Sequence, residues 1–460
     1  MPATSKTRPC AIVWFRDDLR ITDNPALDAS VRRGLPVVAL YVLDEESAGI
    51  RALGGATRWW LHHSLTRLWE SLTAIGIPLV LRRGAAENVL TDLVASTGAS
   101  LVTWNRRYGG PEIAVDTRVK SALTLGGVTV ESFAANLLYE PWTLKPASAP
   151  YYRVFTPFWK AALAAGTPRR LLPAPGALTA PASPAPQSPP PGDRLDDWTL
   201  LPRSPDWSGG LAATWVPGED GARARLDRFL DTGLSDYARL RDRPDKDATT
   251  MLSPHLRFGE ISPNQIWHAV RSRDDGQGAD KLLAEIGWRE FSWHLLFHNP
   301  DLATRNLDAR FDRFPWRDDP RGLRAWQRGR TGYAIVDAGM RQLWATGWMH
   351  NRVRMIAASF LIKDLMIDWR AGEAWFWDTL VDADMANNPA SWQWVAGCGA
   401  DPAPFFRVFN PALQAEKFDP DGAYVRQWLP ERTGGPPPAR IVDHAAARRR
   451  ALEAFKTLKE

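Results

Sequence analysis

The sequence predicts two domains of different class, an N-terminal doubly wound parallel α/β sheet domain and an all-α C-terminal domain. Three observations carry this. Short apolar runs alternate with amphipathic stretches up to residue 133. A stretch dense in proline follows, at 171–193. From Pro217 onward, apolar residues recur only at helical spacing.

Taken in order, the strand candidates are Ala11–Phe15, Pro36–Leu43, Pro78–Leu81, Leu101–Trp104 and Val128–Phe133. Between them Asn24–Arg33, Ala56–Ala74, Ala86–Ser96 and Glu112–Thr124 each carry one apolar helical face. Such alternation implies βαβ units, with crossover helices on both faces of a parallel sheet. The first strand runs into Arg16-Asp17-Asp18-Leu19-Arg20, and no G-x-x-x-x-G-K-[ST] occurs. Neither a nicotinamide dehydrogenase nor a P-loop NTPase is supported, because the glycine-rich phosphate turn is absent. Leu171–Asp193 holds eight prolines, which disfavour helix and sheet and suit a surface linker. Beyond it, helices are expected at Gly221–Leu230, Ser262–Ser272, Lys281–His298, Leu323–Arg328, Ile335–Thr346, His350–Asp368 and Gly372–Leu380, with a charged one at His444–Lys459. The predicted division is an α/β domain at 8–140, a linker at 141–216 and a helical domain at 217–460.

The 460 residues carry 57 Lys+Arg against 52 Asp+Glu, and 45% are hydrophobic. That balance excludes a disordered, collagen-like or coiled-coil chain. The net charge of +5 permits nucleic-acid binding without requiring it. Two cysteines, Cys10 and Cys398, exclude a disulfide framework or a Cys-rich metal site. The N-terminus has no signal-peptide pattern, and the apolar run Met355–Ile362 is far short of a membrane span. A reducing, cytoplasmic setting is expected. The 23 tryptophans are unusual, since each buried indole N–H needs a partner.

Four clusters carry chemistry. Asp382–Trp394 (DADMANNPASWQW) sets two carboxylates before two amides and two indoles, which suits a flat aromatic ligand; alone it also reads as a capped helix start. Thr346–Arg354 (TGWMHNRVR) gathers Trp348, His350, Asn351, Arg352 and Arg354, more polar groups than a helix start requires. Thr249–Ser253, preceded by Tyr237 and Arg241, offers hydroxyls and backbone N–H groups for a phosphate. In Glu285–Glu290 (EIGWRE), Glu285, Trp288 and Arg289 share one helix face. No hydrolytic triad or zinc motif accompanies them.

Together these motifs resemble the photolyase/cryptochrome family from Ala11 to about Pro430. The match is carried by WFRDDLR…DNPAL (Trp14–Leu27), WNRRY (Trp104–Tyr108), TTMLSPHLRFGEIS (Thr249–Ser262), WREF (Trp288–Phe291), TGYAIVDAGMRQL (Thr331–Leu343) and TGWMHNRVRM (Thr346–Met355). It continues through KDLMIDWR (Lys363–Arg370), DADMANNPASWQW and FFRVFNP…EKFDP (residues 405–420).

The resemblance implies FAD, reduced and bent into a U, inside the helical domain. By position, Tyr237 with Thr249, Thr250, Met251, Leu252 and Ser253 would hold its phosphates, with Arg289 beside them. Trp348, Asn351, Arg354, Asp382, Asp384 and Asn388 would surround the ribose and ring system. Arg354 would balance the anionic flavin, and Asn388 would face its protonated nitrogen. The implied partner is UV-damaged DNA, whose flipped cyclobutane pyrimidine dimer would lie against Trp288, Trp394 and Met355, with Glu285 and Asn351 as hydrogen-bonding groups. Glu285, Asn351 and Asn388 are the implied catalytic residues. Arg241, Arg352, Arg407 and Lys417 would touch the DNA backbone. Trp392, Trp369 and Trp316 match the family's electron-relay tryptophans. Glu112, after WNRRY, implies an antenna pigment, 5,10-methenyltetrahydrofolate first, with deazaflavin or FMN as alternatives. No metal, membrane or obligatory protein partner is implied, and a monomer is expected.

Two other activities share these motifs. A signalling cryptochrome commonly has a long C-terminal extension and, in plant members, aspartate at the position of Asn388. A (6-4) photolyase typically carries paired histidines where this chain has His350-Asn351. The resemblance therefore implies repair of cyclobutane dimers.

Overall fold

The computed structural model describes residues 9–176, 190–273, 276–401, 406–432 and 439–458. Five parallel strands, β1 (Ala11–Phe15), β2 (Val37–Leu43), β3 (Leu79–Arg83), β4 (Leu101–Asn105) and β5 (Thr129–Phe133), lie in the order β3-β2-β1-β4-β5. The helices α1 (Pro25–Arg32), α2 (Gly55–Ala74), α3 (Ala86–Thr97) and α4 (Gly110–Leu125) connect them. β1 is buried at every residue, as expected for a central parallel strand covered on both faces.

The strand order reverses between β1 and β4, where open α/β sheets usually admit a ligand. Here the chain's own polar groups bond to one another at that end of the sheet. Asn105 Nδ2 donates to Asp18 Oδ2 (2.6 Å) and Asn24 Oδ1 (2.8 Å), while Asn24 Oδ1 also caps α1 by accepting from Leu27 N (3.1 Å). Arg20, fully buried, donates to Ala135 O (3.1 Å) and to Gly259 O (2.8 Å) of the helical domain. A Cβ at Gly259, whose φ is +63°, would lie 2.1 Å from Asp17 O, so only glycine lets the two domains meet there.

The expected linker is partly a packed segment. It holds α5 (Phe155–Ala164) and α6 (Gly209–Thr214), and Trp198 and Trp215 are buried against the sheet domain. Large apolar side chains beyond the Pro-rich stretch account for that packing. The Pro-rich stretch itself falls mostly on 177–189, outside the described residues.

The helical domain contains α7 (Glu219–Thr232), α8 (Tyr237–Leu240), α9 (Ser253–Arg257), α10 (Pro263–Arg273), α11 (Gln277–His298), α12 (Pro320–Gln327) and α13 (Ala334–Thr346). These are followed by α14 (Asn351–Ser359), α15 (Trp369–Thr379), α16 (Asn387–Ala396), α17 (Pro411–Phe418), α18 (Ala423–Trp428) and α19 (His444–Lys456). Their core is built around Trp326, Trp369, Trp392 and Phe360. The single helix expected at His350–Asp368 is not formed. α14 passes into a π-helical turn at Phe360–Asp364, and Met366 adopts φ +57°. Asp368 then starts a new helix, its carboxylate accepting from Arg370 N at 2.9 Å. Apolar periodicity continued through this break because both sides face the same core.

Candidate functional site

A cavity of about 510 Å³ opens between α8–α9, α11, α14 and α16, with part of α15 behind it. That size is typical of a site for a medium-sized ligand. α11 contributes Glu285, Trp288 and Arg289 at the spacing that puts them on one face. Trp288 stacks on Phe155 of α5, with centroids 3.8 Å apart and planes 8° from parallel. Glu285 is ion-paired to Arg241, which also lines the cavity. Arg289 Nη1 donates to Asn136 O at 2.9 Å.

The next residue, Glu290, ties α11 to the end of the sheet domain. Its Oε2 accepts from Leu138 N at 2.8 Å and Tyr139 N at 3.4 Å. Burial lifts its carboxyl from an ordinary 4.5 to about 7, against the opposing pull of Arg289 and the two backbone donors. Because the folded pKa is raised, the unfolded chain releases this proton first as pH climbs. Stability from this group is therefore full below the unfolded value and is lost toward the folded one. Between about pH 4.5 and 7 the loss is on the order of 3 kcal/mol. Glu290→Gln is expected to flatten that slope, read from denaturation midpoints at several pH values; an unchanged slope would show that Glu290 does not cause it.

α14 and the segment before α16 form the opposite wall. Arg354 grips Asp382 with two bonds, Nη2 to Oδ2 at 2.7 Å and Nη1 to Oδ1 at 3.1 Å, and donates Nε to Met349 O at 2.7 Å. Asp384 accepts from Ala386 N (2.8 Å) and Asn387 Nδ2 (2.7 Å), which fixes the chain entering α16 while the carboxylate lines the cavity. Asn388 lines the same wall, and Asn351, Arg352 and Met355 project from the first turns of α14. Arg352 Nη2 pairs with Asp242 at 2.9 Å. His350 is the α14 cap, its Nδ1 accepting from Arg352 N at 3.2 Å; burial lowers its pKa to about 4, which keeps the ring neutral.

On the third side Tyr237, Thr250 and Ser253 reach the cavity. Thr249, Met251 and Leu252 do not line it, although Met251, at φ +49°, makes the bend between the two hydroxyls. Trp394 lines the cavity, its indole fixed by Nε1 donating to Asp401 O at 2.9 Å. Trp392 also lines it and meets Phe376 and Trp326 edge-on at 5.0 and 6.1 Å. Trp369 is fully buried, with Nε1 donating to Asn306 Oδ1 at 2.9 Å, and Trp316 is half-buried beside Phe314.

The remaining expected residues lie away from the cavity wall. Trp348 packs on the sheet-domain core rather than on the cavity wall. Arg407 and Lys417 lie outside the wall; the backbone O of Arg407 accepts from the buried Lys363 Nζ at 2.6 Å, and Lys417 is exposed on α17. Glu112 sits in the first turn of α4, half-buried near Arg107, with its buried Oε2 lacking a hydrogen-bond partner.

Other functional groups escaped the sequence reading. Arg257 lines the cavity, donating to Asp17 Oδ1 at 2.6 Å and Ala383 O at 2.8 Å. Phe155 supports Trp288 from the segment expected to be a linker. Glu373 holds Asn388, its Oε1 accepting from Nδ2 at 2.8 Å. Only the position of Arg257 within TTMLSPHLRFGEIS could have pointed to one of them.

The donor set fits a dinucleotide. Hydroxyls and arginines on one side suit phosphates, and carboxylates and amides on the other suit ribose hydroxyls and ring N–H groups.

Comparison with known proteins gives the same picture. A family model described as the FAD binding domain of DNA photolyase matches residues 282–439, and one described as DNA photolyase matches residues 11–182. A deoxyribodipyrimidine photo-lyase of Agrobacterium fabrum is 50% identical, over 99% of this chain and 99% of its own. Cryptochrome-1 of Arabidopsis thaliana is 40% identical, over 92% of this chain and 63% of its own length. The crystal structure of a bacterial class III photolyase from Agrobacterium tumefaciens superposes with a TM-score of 0.92 at 49% identity, covering 100% of this chain and 99% of that one.

Proposed function

The chain belongs to the DNA photolyase and cryptochrome family, with that family's FAD-binding domain at its C-terminal end, and from this we propose that it repairs cyclobutane pyrimidine dimers in DNA under light, as a carbon–carbon lyase. One observation supports the reading most: a single cavity brings the polar set Arg354, Asp382, Asp384 and Asn388 against the stacking set Trp288, Trp394 and Met355. Reduced FAD held by these residues would supply, on excitation, the electron that opens the dimer, and the electron would return to the flavin once the two bonds are broken.

The chain's own residues bind and orient. Tyr237, Thr250, Ser253 and Arg289 meet the phosphates. Asp382 and Asp384 accept from hydroxyls and ring N–H groups. Arg354 supplies positive charge, with Asp382 already sharing its fork. Trp288 and Trp394 give the lesion flat surfaces, each base–aromatic stack contributing roughly 1–3 kcal/mol. Glu285 and Asn351 address its polar edge. Arg241, Arg352, Arg407 and Lys417 reach the strand around it.

Trp316, half-buried, Trp369 in the core and Trp392 on the wall would relay an electron inward to the flavin. Glu112, with a free buried oxygen, is the reading for an antenna pigment in the sheet domain, methenyltetrahydrofolate before deazaflavin or FMN. The protein acts as a monomer in the cytoplasm.

The test is repair of an oligonucleotide carrying one defined lesion by purified, reduced, flavin-loaded protein. Blue or near-UV light is expected to restore the cyclobutane dimer, with no reaction in darkness and none on a (6-4) lesion. Flavin photoreduction without lesion binding would replace this reading by a light sensor, and repair of only the (6-4) lesion by the other photolyase class.

A further inference from the structure

The connection between β2 and α2 leaves the sheet domain and lands on α15. A Cβ at Gly54 would lie 2.2 Å from Trp377 O, so the backbones approach as closely as glycine allows. Trp377 Nε1 donates to Ala52 O at 2.9 Å, and Gly55 N donates to Asp378 Oδ1 at 2.8 Å. Arg51 reaches inward from this contact. Its guanidinium lies 4.0 Å from the centre of the Trp377 ring and grips Glu373 with both ends, Nη1 to Oε1 at 2.7 Å and Nη2 to Oε2 at 2.9 Å.

Glu373 has only 4% of its side chain exposed. A carboxylate there requires a charged or hydrogen-bonding partner, and Arg51 provides both. Beyond it stands Asn388. The Asn388 Nδ2 donates to Glu373 Oε1 at 2.8 Å and to Glu373 O at 3.1 Å. Both protons of that nitrogen are thus engaged by groups that can only accept. The carboxamide cannot be turned round without losing both bonds, so Oδ1 is the end left to present to the cavity that Asn388 lines.

We propose that Arg51, from the opposite domain, is a positioning residue of the flavin site: through Glu373 it holds the Asn388 carboxamide with its oxygen toward the cofactor, ready to accept from a ring N–H. This rests on the FAD reading above. A rigid acceptor favours the protonated ring over the unprotonated one, so the docking of the sheet domain helps to set the cofactor's redox behaviour. The distance from Arg51 to the cofactor wall is crossed by two contacts, each with fixed donor and acceptor.

The experiment measures the dark, DNA-free reduction midpoint potential and absorption spectrum of flavin-loaded protein. Arg51→Met is expected to move the potential in the same direction as Asn388→Ala, by at least half as much, and to add nothing in the Asn388→Ala background. Arg51→Lys keeps a charge without the fork and should shift it less, with the same sign. Asp378→Ala breaks a docking bond of the same interface without touching Glu373 and should leave the potential alone. The proposal fails if Arg51→Met and Arg51→Lys retain the parent potential, if Asp378→Ala shifts it equally, or if the Arg51 and Asn388 effects simply add. A parent protein that holds no flavin would remove the FAD reading, and this inference with it, whereas bound flavin with an unmoved potential removes this inference alone.

Discussion

Asp382→Ala is expected to strip the protein of its flavin and lower its stability by about 3 kcal/mol. Asp382 is buried, and both its oxygens are held by Arg354. Removing one member of a buried pair leaves the other charge without compensation, which costs roughly 3–5 kcal/mol. The Arg354 side chain retains 24% exposure, so water recovers part of that penalty and places the effect at the low end. Denaturant unfolding of the flavin-free protein reads the first consequence and flavin content after purification the second. Asp382→Asn keeps an acceptor but not the charge and should fall between. Full flavin content in Asp382→Ala would mean that the carboxylate serves only the fold.

Trp392→Phe is expected to separate two activities. The residue lines the cavity, and its ring packs edge-on against Phe376 and Trp326. Phenylalanine fills most of that space but is far harder to oxidise than an indole. Photoreduction of oxidised flavin should slow at least about tenfold, equivalent to ~1.4 kcal/mol on the barrier. Repair by protein reduced beforehand should stay near the parent rate, because that route needs no electron from outside. Stopped illumination with absorption detection reads the first rate and single-turnover repair the second. Loss of both would assign Trp392 to packing, where a Cβ on the neighbouring Gly372 would already lie 2.1 Å from its ring.

The strands and the four helices between them were legible because each depends on local periodicity. Asn24 caps α1 from its own flank, and its position after the first strand was visible in the sequence. The face shared by Glu285, Trp288 and Arg289 was legible for the same reason, since helical spacing alone places them together. The break at Phe360–Asp364 was not, because the apolar pattern runs through it while the backbone satisfies itself differently. Trp348 was misplaced by proximity: it neighbours cavity residues in sequence, yet its ring turns to the sheet-domain core.

By itself, the amino-acid order determined a parallel α/β domain followed by a helical one, and the ordered motifs that mark the family. Those features are written in spacing, which the chain carries without folding. Tertiary structure alone decided which groups complete the site: Phe155 under Trp288, Arg257 on Asp17, and Arg51 on Glu373 across 322 residues. Such pairs have no local signature, because a hydrogen bond or a ring stack depends on distance in space and the packing of the two domains sets that distance.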